Sequence, residues 1–285
     1  MFHGLSSPFV TWAGTGWLVA GGKQSYLVGK GGATMLATDG VVTAACFDGE
    51  RTWLALAKAK ARAHELVASS IAVLEGERVV PWRSLDVLGA AARAVPWLAA
   101  VDGEVVLSSS LEKEPRGHGW ALHRLGATGG LRASLELQPA SYCGSVSQVG
   151  RLGRRIFVGR LAIGLDLVTA ERPGPDPASP MAWGAREASL RVSWDEAFRN
   201  STVRVVVETG GGPTVEHPAA HAPNMLAVGA SWVAWGDARR CALAHDEGAP
   251  GSLRLSSVRQ LASSGVQLAA LVMKSPGVEL VTLTP

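Results

Sequence analysis

A blurred repeat of apolar strand, short turn and second strand runs along the 285 residues and limits the folds open to this chain. The stretch VPWLAAVDGEVVLSSS, residues Val95–Ser110, shows the unit most clearly. It joins consecutive apolar residues to a second apolar run through an Asp-Gly turn, which is a strong hairpin signal. Units of this kind begin at seven positions: Trp17, Trp53, Trp97, Ile156, Val203, Trp232 and Leu268.

The intervals between these starts are 36, 44, 59, 47, 29 and 36 residues, about 42 on average. A repeat of roughly 40–50 residues is typical of the four-stranded blade of a β-propeller. We therefore predict an all-β fold, a β-propeller of seven blades made of four-stranded antiparallel sheets, with six blades and one insertion as the alternative. A single domain over residues 1–285 is compatible with this length. We expect the N- and C-terminal strands, Phe9–Trp12 and Val278–Leu283, to pair and close the fold, because closure hides sheet edges.

Three segments fit the repeat less well. ALAKAKARAHELVA, residues 55–68, is rich in helix formers, but its basic residues alternate with alanine at the period of a strand. Strand is the favoured interpretation. RPGPDPASP and GGGPTVEHPAAHAP contain prolines that a central strand excludes, so we predict long loops at residues 172–180 and 210–223.

Two turns carry a resemblance to a known group of proteins. FDGERTW, residues Phe47–Trp53, and VDGEVVL, residues Val101–Leu107, resemble turns of the β-propeller superfamily, among WD-repeat-like and degenerate Asp-box bacterial propellers. The resemblance implies that Asp48 caps its turn and that Trp53 enters the core. It also implies that rim loops or the mouth of a central channel bind proteins, sugars or substrates, without choosing among them.

Composition narrows the cellular setting and the class of partner. No run of about 18 apolar residues occurs, so we expect no membrane span, and no signal peptide is recognisable, so we expect a cytoplasmic protein. Frequent Ala, Gly, Val and Arg indicate a bacterial source. A net charge of +3 spread over the whole chain does not call for nucleic acid as a partner.

Catalytic and metal-binding motifs are weak in this sequence. A Gly-x-Ser-x-Gly elbow is missing, and the Ser-rich stretch LSSSL has no matched base nearby in sequence. His118 and His123 are five residues apart, so on a strand they face opposite sides. His217 and His221 lie among prolines that argue against a metal-binding helix, which indicates solvated loop histidines. We expect no metal, no cofactor and no catalytic residues.

A basic rim is the remaining candidate for binding. We predict that it consists of these loop residues: Arg154, Arg155, Arg160, Arg239, Arg240, His217 and His221. Such residues attract an acidic surface by charge. The predicted function is therefore a non-catalytic protein–protein interaction scaffold or adaptor. The alternatives are an enzyme or small-ligand-binding propeller with its site at the channel mouth, and a lectin.

Overall fold

The computed structural model describes residues 1–2, 5–59, 66–88, 95, 97–112, 118–137, 149–152, 155–158, 161–168, 170–171, 178–183, 186–194, 201–209, 212–220 and 223–285. These residues form β-strands almost throughout. Their one helix is a single 3-10 turn at Asp86–Leu88. In this part of the chain, therefore, no helix has the length and apolar character needed to cross a membrane.

Among the described residues, the strands form seven sheets in chain order. The first contains β1 (Leu5–Trp12), β2 (Trp17–Gly22), β3 (Tyr26–Gly29) and β4 (Gly32–Met35). The second contains β5 (Val41–Phe47), β6 (Thr52–Ala59), β7 (Leu66–Glu75) and β8 (Arg78–Ser84). The third contains β9 (Trp97–Val101), β10 (Glu104–Glu112), β11 (His118–Leu125) and β12 (Leu131–Leu137). The fourth contains β13 (Val149–Leu152), β14 (Arg155–Val158), β15 (Leu161–Gly164) and β16 (Ala170–Glu171).

The remaining three sheets follow the same plan. The fifth contains β17 (Ala178–Trp183), β18 (Arg186–Trp194), β19 (Ser201–Thr209) and β20 (Val215–Ala219). The sixth contains β21 (Met225–Val228), β22 (Trp232–Gly236), β23 (Cys241–His245) and β24 (Gly251–Leu253). The seventh has three strands among the described residues, β25 (Val258–Ser263), β26 (Leu268–Lys274) and β27 (Gly277–Leu283). Seven successive antiparallel meanders are the architecture of a seven-bladed β-propeller, which confirms the predicted fold class.

Residue contacts divide the chain into two compact units. One consists of Phe2–Ser147 with Ile163–Ala170, and the other of Met1, Gln148–Ala162 and Glu171–Pro285. In the former, apolar side chains fill the spaces between the first and second sheets and between the second and third. In the latter, they fill the spaces between the fifth and sixth sheets and between the sixth and seventh. The single domain predicted over residues 1–285 stays a prediction.

The most buried strands are those whose apolar residues are consecutive. Every residue of β2 and β22 is buried, as are the first six residues of β6. A strand covered on both faces needs such a continuous apolar run, because neither face meets water. In the segment at residues 55–68, the described parts belong to β6 and β7, as the alternation predicts, while residues 60–65 lie outside the described residues.

The pairing predicted between the terminal strands stays a prediction. Phe9–Trp12 pairs with Trp17–Ala20, and Val278–Leu283 pairs with Leu268–Met273, so the expected pairing of these terminal strands is not among those of the described residues. The tight turn after Trp12 returns the chain at once and gives β1 a partner within its own sheet.

The predicted loops at 172–180 and 210–223 also contain strand. Ala178–Pro180 belongs to β17, and Val215–Ala219 forms β20 opposite Val203–Val207. Both β17 and β20 are edge strands, and an edge strand tolerates proline because one side of its backbone needs no partner. Residues 172–177, 210–211 and 221–222 lie outside the described residues.

Candidate functional site

A cleft of about 520 Å³ opens at one end of the first two sheets, within the unit built mainly from Phe2–Ser147. Its walls are residues 13–15, 47, 50–52 and 73–76. They belong to the turn between β1 and β2, the turn between β5 and β6, and the turn between β7 and β8. In an antiparallel meander the first and third turns lie at the same end of a sheet, which is why these segments meet.

Asp48 shapes the middle turn of this cleft. Its Oδ1 accepts hydrogen bonds from the backbone N–H groups of Glu50 at 2.9 Å and Arg51 at 2.8 Å. Its Oδ2 accepts one from the indole Nε1 of Trp53 at 2.7 Å. Trp53 is only 2% exposed. The capping role of Asp48 and the core position of Trp53, both implied by the resemblance to Asp-box turns, are thereby confirmed.

The charge on Asp48 is stabilised by these contacts. Burial raises the pKa of its carboxyl group, but the hydrogen bonds from the Trp53 indole and from the backbone of Arg51 and Glu50 outweigh burial. The pKa therefore lies below its usual value of 3.8. The carboxylate stays ionised at neutral pH and holds the turn in one conformation.

The turn between β1 and β2 forms the opposite wall. Ala13 donates its N–H to the carbonyl of Gly16 at 2.8 Å, and Thr15 donates to Ala13 at 2.9 Å. Gly14 has a φ of 78°, and a Cβ on it would lie 2.9 Å from Cε2 of Phe47. A glycine is therefore required here twice over, by the backbone conformation and by the aromatic ring against it.

Charged side chains of both signs stand at the mouth of the cleft. Glu50, Arg51 and Glu75 are all exposed, so two carboxylates accompany one guanidinium group. Around them the lining includes turn backbone, the hydroxyl-bearing residues Thr15 and Thr52, and three apolar residues, Phe47, Val73 and Leu74. Such a surface suits a polar segment that carries a positive charge.

The described arginines of the predicted basic rim belong to two different sheets. Arg155 is an exposed residue of β14 in the fourth sheet. Arg239 and Arg240 are exposed in the turn between β22 and β23, where Asp237 Oδ1 accepts their backbone N–H groups at 2.7 and 2.9 Å. The two groups thus belong to different sheets. Three other residues of the predicted rim lie outside the described residues: Arg154, Arg160 and His221.

His217 is a correction to the predicted rim, because it lies on β20 and is only 4% exposed. Its ring stacks on Trp235 with centroids 5.9 Å apart, and its Nε2 has no hydrogen-bond partner among the described residues. Burial lowers the pKa of His217 against the attraction of Asp246. Asp246 in turn accepts two hydrogen bonds of 2.6 Å from Arg186. The histidine is therefore part of the packing and not a solvated rim residue.

The Ser-rich stretch on β10 does have a base beside it, contrary to the expectation from sequence. Ser109 Oγ lies 2.7 Å from Nε2 of His123, and Nδ1 of the same ring lies 2.9 Å from Ser134 Oγ. His123 is 6% exposed and Ser109 is fully buried. Burial lowers the pKa of His123, although the nearby Glu136 carboxylate opposes this. The pairing of distant strands creates this chain, so spacing along the sequence could not reveal it.

Metal binding finds no support in the described part of the chain, which contains no group of three or more His, Cys, Asp or Glu placed to hold an ion.

The sequence did point to one wall of the cleft through the Asp48 turn. It missed the walls at residues 13–15 and 73–76. Their turn signals, such as Glu75-Gly76, are visible, but which turns share an end depends on strand pairing.

This chain is similar to several solved structures at low sequence identity. No protein-family model matches the sequence, and no curated protein matches it. Among solved structures, the extracellular domain of the hybrid two-component system BT4673 from B. thetaiotaomicron is 11% identical over 98% of this chain and 39% of its own, with a TM-score of 0.51. PorZ, a bacterial surface component of the type-IX secretion system of Porphyromonas gingivalis, is 10% identical over 97% of this chain and 41% of its own, with a TM-score of 0.34.

A third similar structure is a subtype N10 neuraminidase-like protein of a little yellow-shouldered bat isolate. It is 11% identical over 96% of this chain and 91% of its own, with a TM-score of 0.43. This chain spans about two fifths of the length of BT4673's domain and of PorZ. At such identities the similarity concerns the fold alone, and the functions of these proteins do not transfer.

Proposed function

We propose that this chain is a protein-interaction module that binds a partner, with no catalytic step at the binding site, through the turn cleft of its first two sheets. The observation that carries the proposal is the way the cleft walls are fixed. Three hydrogen bonds to Asp48 hold one wall, and backbone bonds at Ala13 and Thr15 hold the other. A surface ordered before binding loses less conformational entropy when a partner arrives, which favours affinity.

Charge and size define the partner's chemistry. The cleft volume of about 520 Å³ falls in the range of roughly 300–1,000 Å³ that is usual for ligand sites and accommodates a few side chains. Glu50 and Glu75 outnumber Arg51, so the mouth favours positive charge. We infer that the occupant is an extended segment of a partner protein that places a Lys or Arg between the two carboxylates.

A peptide-display selection tests this inference. Wild-type protein is immobilised and panned against a library of random twelve-residue peptides, and enriched peptides are then measured by fluorescence anisotropy. We expect Lys- or Arg-containing peptides to be enriched. The double variant Glu50→Lys/Glu75→Lys should weaken their binding at least tenfold, because it reverses the charge at the mouth.

The matched control reverses two exposed carboxylates of the other unit, Glu208→Lys/Glu247→Lys, and should leave binding unchanged. Equal loss in both double variants would mean that only net charge matters and would contradict a cleft-specific site. Enrichment of peptides without basic residues would overturn the assigned partner chemistry. The alternative of a small-ligand site would be favoured if a small molecule, and no peptide, were displaced by the cleft variant.

A further inference from the structure

A line of three polar side chains crosses the third sheet from its interior to its surface. Ser109 lies on β10, His123 on β11 and Ser134 on β12. His123 and Ser134 are directly opposite in the antiparallel register. Ser109 is fully buried and His123 nearly so, whereas Ser134 is exposed. The line therefore joins an accessible hydroxyl to an inaccessible base.

The base is well placed to accept a proton. Its Nδ1 is 2.9 Å from Ser134 Oγ, within the reach needed for general-base catalysis. Burial favours the neutral imidazole, which is the form with a free lone pair. When Nε2 carries the ring hydrogen and donates it to Ser109 at 2.7 Å, Nδ1 is left to accept the hydrogen of Ser134. Ser134, His123 and Ser109 are thus arranged as a nucleophile, a base and a group that positions the base.

We propose that Ser134 is a nucleophile activated by His123, able to take an acyl group from an activated ester. In this step Oγ of Ser134 bonds to the carbonyl carbon while its proton passes to Nδ1 of His123. The bond from that carbon to the leaving oxygen breaks, and the imidazolium returns its proton to the departing alkoxide or phenolate. Water then hydrolyses the acyl-serine by the same route. Ser109 is the positioning residue.

The expected size of the effect follows from the mechanism. General-base assistance contributes roughly 10²–10⁴-fold to such reactions. Ser193 provides the internal reference, since it is also an exposed serine on a strand, β18. We therefore expect Ser134 to react at least ~10²-fold faster than Ser193.

The experiment exposes the folded full-length chain to a fluorophosphonate probe and follows labelling by intact-mass and peptide mass spectrometry. One label per chain, mapped to Ser134, is expected. Ser134→Ala should abolish it, and Ser193→Ala should leave its rate unchanged. His123→Gln should slow it at least tenfold while circular dichroism confirms folding.

Should His123→Gln not fold, the pH dependence of wild-type labelling decides. The rate should fall as pH drops through the ionisation of His123, below pH 6.5. Glu136 on β12 is the charged group that acts on the ring, while Arg124 on β11 is paired with Glu104 on β10. Labelling that is absent, equal at Ser134 and Ser193, or constant between pH 5 and 8 would overturn the proposal.

Discussion

The second and sixth sheets each bury a tryptophan, but among the described residues only the indole N–H in the second sheet has a hydrogen-bond partner. Trp53 on β6 and Trp232 on β22 are each 2% exposed. The N–H of Trp53 donates to Asp48, whereas that of Trp232 has no partner among the described residues. The hairpin turns before the two residues share a backbone bond, from Asp48 to Arg51 at 3.1 Å and from Gly229 to Trp232 at 2.9 Å.

The difference comes from the first residue of each turn. Where the second sheet has Asp48, the sixth has Gly229, and the indole of Trp232 lies directly over that glycine. Trp53 is the second residue of its strand and follows Asp48 by five residues, which leaves room for a carboxylate between the turn and the ring. The Asp48 turn is thus held by a side chain and leaves the cleft open. At the Gly229 turn, the indole of Trp232 fills the space.

The largest expected effect comes from closing the space below Trp232. In Gly229→Ala the new Cβ would overlap the indole carbon Cε2, so the ring or the turn must move. We expect the free energy of unfolding to fall by about 3 kcal/mol, which is the upper part of the range for overpacked cores. Thermal unfolding followed by circular dichroism measures it. Gly49→Ala is the control on the other turn, since space around Gly49 is open and only its φ of 108° opposes a side chain. Equal losses in the two variants would show that the indole contact is unimportant.

The second-largest loss of folding stability is expected when the Asp48 carboxylate is removed. Asp48→Ala deprives the buried Trp53 indole and two backbone N–H groups of their acceptor, and we expect a cost of about 2–3 kcal/mol. Asp237→Ala is the matched variant, because Asp237 caps a turn in the sixth sheet by the same two backbone bonds. It should cost only about 1 kcal/mol. Chemical denaturation of both variants gives the comparison, and a smaller loss for Asp48→Ala would contradict it.

The tryptophans themselves allow a finer measurement. Trp53→Phe removes the indole hydrogen bond to Asp48, whereas Trp232→Phe removes an N–H that has no partner in the described residues. Both lose a similar apolar volume, so their difference isolates the hydrogen bond. We expect Trp53→Phe to be more destabilising by about 1.5 kcal/mol, the lower end of the range for a hydrogen bond to a charged group. Equal free energies of unfolding would assign no net stability to the Asp48 contact.

The sequence predicted the repeat better than it predicted positions within it. Seven apolar starts correspond to seven sheets, yet Trp17, Trp53 and Trp232 lie on second strands, whereas Trp97 begins a first strand and Val203 lies on a third. A continuous apolar run marks any strand covered on both faces, so it identifies a sheet without identifying the strand. This is why the repeat predicts the number of blades, whereas the pairing of the terminal strands stays a prediction.

The residues of the candidate sites also differ in how well the sequence predicts them. Asp48 and Trp53 could be predicted because their contact is local, five residues apart in one turn. Pro218 leads the sequence to predict a loop at His217, although Pro218 opposes Arg204 in an edge strand where proline is tolerated. Ser134 gave no signal, since its contact with His123 exists only once β11 and β12 have paired. Local turn chemistry is readable from the sequence, and cross-strand chemistry requires the register.

The smallest effect is the acid dependence of the Asp48 contact. The folded pKa of Asp48 lies below its usual value of 3.8, so its stabilisation is complete above that pH and is lost as pH falls through the lowered folded pKa. Asp48→Asn cannot ionise, so the difference in unfolding free energy between wild type and this variant should shrink below about pH 4. The change should be under about 1 kcal/mol, because Asp48 is only partly buried and the surrounding water screens its charge. Urea unfolding of both proteins between pH 3 and 7 measures it, and a difference that grew on acidification would mean that the carboxyl group is destabilised by folding.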